Sequence, residues 1–127
     1  MKRTVSSAVS ASCSVSVNRV ILVGNVGADP RMRHVDRIPV AEFSLATTDP
    51  AHAGPNGTMI PERTEWHNLV MWGDKAELAE RYIRKGTKLY VEGRLRYRTW
   101  QDHNAIKRTV AEVAVEKVEI LQRAASS

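Results

Sequence analysis

Thr64-Glu-Trp-His-Asn-Leu-Val-Met-Trp-Gly73, running straight into Asp74-Lys-Ala-Glu-Leu-Ala-Glu-Arg-Tyr-Ile-Arg-Lys-Gly86, is the stretch whose reading decides the fold. The first half alternates with period two and reads as a strand. Trp66, Asn68, Val70 and Trp72 share one face, and His67, Leu69 and Met71 share the other. Leu69 and Met71 suit a core. Two tryptophans beside an asparagine do not make an ordinary core face. The plainer reading is sheet aromatics covered by a loop. The sharper one is flat indoles left open to stack on planar ligands such as nucleobases. The second half predicts a helix of about three turns from Asp74. Asp74 and Glu77 have capping-box spacing. Leu78, Ala79, Tyr82 and Ile83 form an apolar stripe. Arg84 and Lys85 fall in the last turn, and Gly86 stops the helix.

Working outward, Asn18-Arg-Val-Ile-Leu-Val-Gly-Asn25 is a β-rich run, apolar on both faces at its centre, as in a strand buried in a barrel. Gly24 and Gly27 fall where such a strand bends or closes. Pro39 to Thr48 is a second long strand with Ala41, Phe43, Leu45 and Thr47 on one face and Glu42 and Ser44 on the other. Asp49 to Arg63 carries three prolines and two glycines and reads as a long, mobile hairpin loop rather than an element. After the helix, Thr87 to Trp100 alternates cleanly: Leu89, Val91, Gly93, Leu95 and Tyr97 oppose Arg94, Arg96, Arg98 and Trp100. Ile106 to Leu121 is the last strand. A parity change between Val110 and Val113 suggests a bulge there. The order strand–strand–strand–helix–strand–strand predicts an all-β fold with one short helix, a five-stranded OB barrel whose helix lies between the third and fourth strands. An open sandwich with one covering helix is the structural rival.

The chain has 127 residues, enough for one domain. Its 43% apolar and 26% charged content is ordinary for a globular domain. The net charge of +5 favours a polyanionic partner such as nucleic acid or an acidic membrane surface. The lone cysteine, Cys13, excludes an internal disulfide and makes a reducing compartment the default. No apolar run approaches the ~20 residues of a membrane span. Residues 1–17 are Ser-rich and basic, and read as a flexible leader. Their composition also suits an organelle transit peptide. Residues 18–121 form the OB domain, and 122–127 read as a frayed end.

No catalytic constellation stands out. The four histidines are scattered without metal-ligand spacing. The loop acids Asp29, Asp36 and Asp49 have no spacing that argues for a converging carboxylate site. There is no Walker loop or dinucleotide fingerprint. The expectation is therefore no enzyme activity, no cofactor and no metal. What does stand out is arginine alternating with aromatics. Arg94, Arg96, Arg98 and Trp100 share one strand face, and Trp66 and Trp72 share another. Cations follow a phosphate backbone and flat rings hold splayed bases, an arrangement suited to single strands, because duplex bases are already stacked. A solvated, aggregation-resistant β-face is the plainer reading of the arginines.

The motifs Asn18-Arg-Val-Ile-Leu-Val-Gly-Asn-Val-Gly-Ala-Asp-Pro30, Phe43-Ser-Leu-Ala-Thr47, Thr64-Glu-Trp-His67, Tyr82-Ile-Arg-Lys-Gly86, Tyr90-Val-Glu-Gly93 and Leu95-Arg-Tyr-Arg-Thr-Trp100 resemble the bacterial single-stranded DNA-binding protein family, in order, from about Asn18 to Leu121. The resemblance implies an OB-fold homotetramer that binds and protects single-stranded DNA without sequence preference in replication, recombination and repair. It implies base stacking by Trp66, Trp72 and Trp100, phosphate contacts by Arg19, Arg33, Lys85, Arg96 and Arg98, and a subunit interface at His67. Arg94 joins the site on its strand face. The implied location is the cytoplasm and nucleoid of a bacterium, with the mitochondrial matrix as a minor alternative. The chain departs from the family at three places. An aromatic platform usually found after the second strand is replaced by Asp49-Pro-Ala-His52. A basic residue after the interface histidine is replaced by Asn68. The glycine-rich linker and acidic tip are absent before Ser127, so partners recruited by that tip are not expected of this chain. A dimeric replication-restart accessory and an RNA-binding OB module are the alternatives.

Overall fold

A computed structural model describes residues 15–124. Of the leader expected over 1–17 and the frayed end expected over 122–127, residues 1–14 and 125–127 lie outside the described residues. Eight strands and one helix follow in order: β1 (Val20–Val26), β2 (Arg31–Val35), β3 (Ile38–Asp49), β4 (His52–Ala53), β5 (Met59–Ile60), β6 (Arg63–Trp72), α1 (Asp74–Tyr82), β7 (Lys88–Gln101) and β8 (Lys107–Gln122). The sheet order β1-β7-β8-β6-β3, with β3 returning to β1, closes a five-stranded ring, and β2 adds to the free edge of β3. β6 and β8 run parallel at Leu69–Val70 against Val113–Ala114, and every other pairing is antiparallel. This is the expected OB barrel, with its helix between the third and fourth long strands.

Period two explains the core. Ala41, Phe43 and Leu45 of β3, Leu69 and Met71 of β6, Leu89 and Val91 of β7, and Val113 and Val115 of β8 all point inward and are buried. Helix α1 plugs one end of the barrel with Ala76, Ala79 and Ile83. Closure depends on Gly24. A Cβ there would lie 2.1 Å from the carbonyl oxygen of Ala46, so only glycine lets β1 turn from β7 onto β3. Val26 then donates to the Thr87 carbonyl at 2.9 Å and accepts from Gly86 at 2.8 Å.

Several expectations are corrected. The stretch from Asp49 to Arg63 is not elementless, because β4 and β5 pair as a small hairpin. Asp74 does not cap α1. Gly73 is the N-cap and no side chain caps it, while Asp74 and Glu77 lie in the first turn, where they oppose the helix dipole. The helix ends at Tyr82, before Arg84. Arg84 instead donates from Nη1 to the carbonyls of Glu80 and Ile83, each at 2.7 Å, which satisfies the helix end from outside. Tyr82 is exposed rather than part of the buried stripe. β1 buries one face only, and Ile21 and Val23 are exposed on its outer face. The register of β8 with β7 slips at Glu116, opposite Glu92–Gly93, and again at Leu121, opposite Lys88–Leu89, rather than between Val110 and Val113. Val110 is not part of the same inward run as Val113; it belongs to the outer face.

β7 and β8 continue past the barrel. Arg94–Gln101 pairs with Lys107–Ala114 as an arm exposed on most of both faces. Asn18 pins the arm's base, donating to the Leu95 carbonyl at 2.8 Å and accepting its N–H at 2.9 Å.

The turn from β2 to β3 is a two-residue loop, Asp36-Arg37, with φ of 49° and 70°. Positive φ at both central positions marks a type I′ hairpin turn, where glycine is favoured second. Arg37→Gly should therefore raise stability by about 0.5–1 kcal/mol, because the left-handed penalty on arginine exceeds the entropic cost of glycine. Chemical denaturation measures this, and a lower midpoint for the variant would contradict it.

Candidate nucleic-acid interface

The outer face of the barrel has the chemistry that the inner face excludes. Along β6, Trp66, Asn68, Val70 and Trp72 point outward, in register with Ala46, Ser44, Glu42 and Val40 of β3. The three tryptophans remain 61%, 46% and 43% exposed at Trp66, Trp72 and Trp100. They are not covered core aromatics. At the rise of a strand, Trp66 and Trp72 stand about 20 Å apart on one face. A Cβ at Gly27 would lie 2.4 Å from the Trp66 ring, so the indole rests against a bare backbone at the end of β1.

Between the two indoles lies an open groove of about 840 Å³. Ser44, Asn68 and Val70 form its floor, Arg31 and Arg33 of β2 one wall, and Arg98, Trp100, Val110 and Glu112 of the arm the other. The register of the arm explains the second wall. Arg96, Arg98 and Trp100 face the same side as Glu112, Val110 and Arg108, their direct cross-strand partners.

The wall arginines are held by carboxylates. Glu42 accepts from Arg33 Nη2 at 2.7 Å and Nε at 2.8 Å through one oxygen, and its other oxygen lies 3.6 Å from Arg31 Nη2. Glu112 accepts from Arg98 Nε at 3.3 Å. Asp29 sits at the groove's edge and accepts the Lys85 backbone N–H at 2.8 Å.

Of the residues singled out in the sequence, Arg33, Arg98 and Trp100 line the groove itself. Trp66 and Trp72 flank it on β6, Arg94 and Arg96 continue the arm's face, and Lys85 stands beside Asp29. Arg19 is not brought to the groove. It pairs with Glu92, whose carboxylate also accepts the Tyr90 hydroxyl at 2.5 Å. That hydroxyl bond, helped by the charge of Arg19, holds Glu92 below the usual carboxylate range; the same bond to Glu92 raises the Tyr90 phenol, against the pull of Arg19. His67 faces away from the tryptophans, half-buried, with Nε2 2.8 Å from Thr47 Oγ1. His52, in place of the missing aromatic, sits exposed on β4 with Nδ1 3.1 Å from the Pro50 carbonyl. The sequence reading left Arg31, Glu42 and Glu112 out of the site. Arg31 shares the parity of Arg33, and Glu112 is the direct partner of Arg96, signals that need the strand register to be read. Among the described residues no cluster of three or more His, Cys, Asp or Glu could hold a metal ion.

Comparison with known proteins identifies the family and agrees with the fold. The model of the single-strand binding protein family matches residues 17–121. The single-stranded DNA-binding protein of Bacteroides thetaiotaomicron is 49% identical over 108 residues, covering 84% of this chain and 67% of its own length. Among solved structures, a Plasmodium falciparum SSB in complex with ssDNA superposes with a TM-score of 0.77 at 28% identity, covering 87% of this chain and 99% of that one.

The arm tip carries an acid, Asp102, whose carboxylate holds the turn between β7 and β8. Asp102 accepts the backbone N–H groups of Ile106 and Asn104 at 3.0 and 2.9 Å and the Arg108 Nε at 3.1 Å. The Ile106 bond, with help from Arg108 and Asn104, holds its carboxyl below the usual range. A depressed folded value means that the stabilisation is present above the unfolded carboxylate pKa, about 4, and is lost as pH falls through the folded value. Amide exchange at Asn104 and Ile106 should be slow above that range. It should accelerate, relative to barrel amides, in acid and in Asp102→Asn. Equal protection of these amides in the variant would contradict the assignment.

Proposed function

The chain belongs to the single-strand binding protein family, and on that premise we propose that it binds and protects single-stranded DNA, without sequence preference, in replication, recombination and repair. The observation that carries this reading is the open indole face of β6 flanking an arginine-walled groove. Exposed indoles stack on any base, which gives affinity without sequence readout. In this reading Trp66, Trp72 and Trp100 hold bases, and Arg33, Arg94, Arg96, Arg98 and Lys85 follow the phosphates. Arg19, tied to Glu92 away from the groove, contributes at most to a strand wrapped around the outside. The protein works by binding and performs no reaction. Its bacterial relative favours a cytoplasmic, nucleoid-associated role.

Stacking and phosphate pairing respond differently to salt. Each stacking platform is worth about 1–3 kcal/mol per base and is largely indifferent to salt. Each phosphate contact contributes a log–log salt slope of about −0.7 on single strands. Trp72→Ala should therefore weaken binding to poly-thymidine with little change in slope, and Arg96→Ala should flatten the slope by about 0.7 per contacting protomer. The reverse pattern in a salt series would contradict this division of labour.

The assembly in this reading is a homotetramer. Ile21 and Val23 leave an apolar strip on the outer face of β1, the kind of surface a partner copy buries. His67 belongs to a subunit contact, where its imidazole is already committed to Thr47 Oγ1 and a larger ring would overpack the contact. His67→Tyr should dissociate the tetramer at nanomolar concentration, as read by solution mass. A variant that remains tetrameric at that dilution would contradict the interface assignment.

A further inference from the structure

The protein as a whole carries a net charge of +5, yet the lining of its groove is balanced: Arg31, Arg33 and Arg98 face Asp29, Glu42 and Glu112. The two glutamates are not incidental surface acids. Their side chains are only 16% and 14% exposed, Glu42 on β3 reaching the arginines of β2 and Glu112 on β8 reaching an arginine of β7. Glu42 holds Arg33 and reaches Arg31. Glu112 holds Arg98 and lies directly across from Arg96. By contrast, among the described residues neither Arg94 nor Arg96 makes an ion pair.

We propose that Glu42 and Glu112 are specificity-determining residues that exclude phosphate from the groove floor, so that the floor accepts bases and the backbone is turned toward the rim. The proposal rests on the reading of this groove as the single-strand site. A phosphate seated at the floor would lie beside a fixed carboxylate and gains little, whereas one turned away from it can still meet Nη1 of Arg33 and the Nη nitrogens of Arg98, which the carboxylates do not engage. A base seated there meets Asn68, Val70 and Val110, neutral contacts that any base can make. The free charges of Arg94 and Arg96 remain along the arm for the phosphates. The groove thus selects a chain of bases over a bare polyanion, which an all-positive groove does not.

The test compares two ligands, poly-thymidine and inorganic polyphosphate, on the full chain. Glu42→Gln and Glu112→Gln should each tighten polyphosphate binding by about two- to fivefold, the range of a partly exposed ion pair, with a smaller change on poly-thymidine. Glu42→Asp and Glu112→Asp, which keep the anion, should retain the wild-type ratio of the two affinities. Glu80→Gln on α1 removes the same charge outside the groove and should leave that ratio unchanged. The two glutamates lie on different strands, so each is an independent test, and a melting curve establishes that each variant is folded. Equal tightening on both ligands, or no tightening by either Gln variant, overturns the proposal. Failure of the wild-type protein to bind poly-thymidine would instead refute the parent reading of the groove.

Discussion

The structure depends on the passage of β1 from one partner to another. Val20–Asn25 pairs with β7, and Asn25–Val26 pairs with β3. That exchange is what closes the sheet into a barrel, and it happens where a carbonyl of β3 lies against the bare Cα of Gly24. Closure fixes two things at once. It buries Leu45, Leu69, Met71, Leu89 and Val91 in a common interior, and it curves the outer face of β3 and β6 toward the arm of β7 and β8. A flat sheet of the same strands would carry the same tryptophans and arginines but would not bring the β2 wall opposite the arm wall.

The groove is therefore a consequence of barrel geometry rather than of any one motif. Its floor comes from β3 and β6, one wall from β2 and the other from strands that outrun the barrel. Only rigid elements contribute directly to the walls, so the arginines are held in place before any ligand arrives. Paired with Glu42 and Glu112, they have little freedom left to lose. At one end the Trp66 indole rests against the bare backbone of Gly27, which leaves its other face open.

Much of this was legible in the sequence because strand alternation is a strict rule. Alternation separated Trp66 and Trp72 from Leu69 and Met71, and it separated the arginines of β7 from Leu89 and Val91; the structure keeps both divisions. The strand and helix order sufficed for the barrel. Other features depend on information that one strand does not hold. The turn at Asp36-Arg37 lacks the Asn-Gly signature of its type, so the sequence carries no hairpin signal for β2. Asp74 has the right spacing for a cap, but Gly73 occupies that position. Tyr82 has the periodicity of a buried residue, yet the barrel mouth needs only Ala76, Ala79 and Ile83 to fill it. The pairing of Glu42 and Glu112 with groove arginines emerges only from cross-strand register. The same is true of Arg19, whose partner Glu92 is far away in sequence and adjacent across β1 and β7.

The central claim is that the exposed indoles of this face receive bases. Intrinsic tryptophan fluorescence tests it most directly, with the protein titrated in parallel against poly-thymidine and against a duplex of equal phosphate content. Stacking predicts saturable quenching by the single strand and little by the duplex, whose bases are already occupied with one another. Binding of poly-thymidine without a change in indole emission would contradict the account.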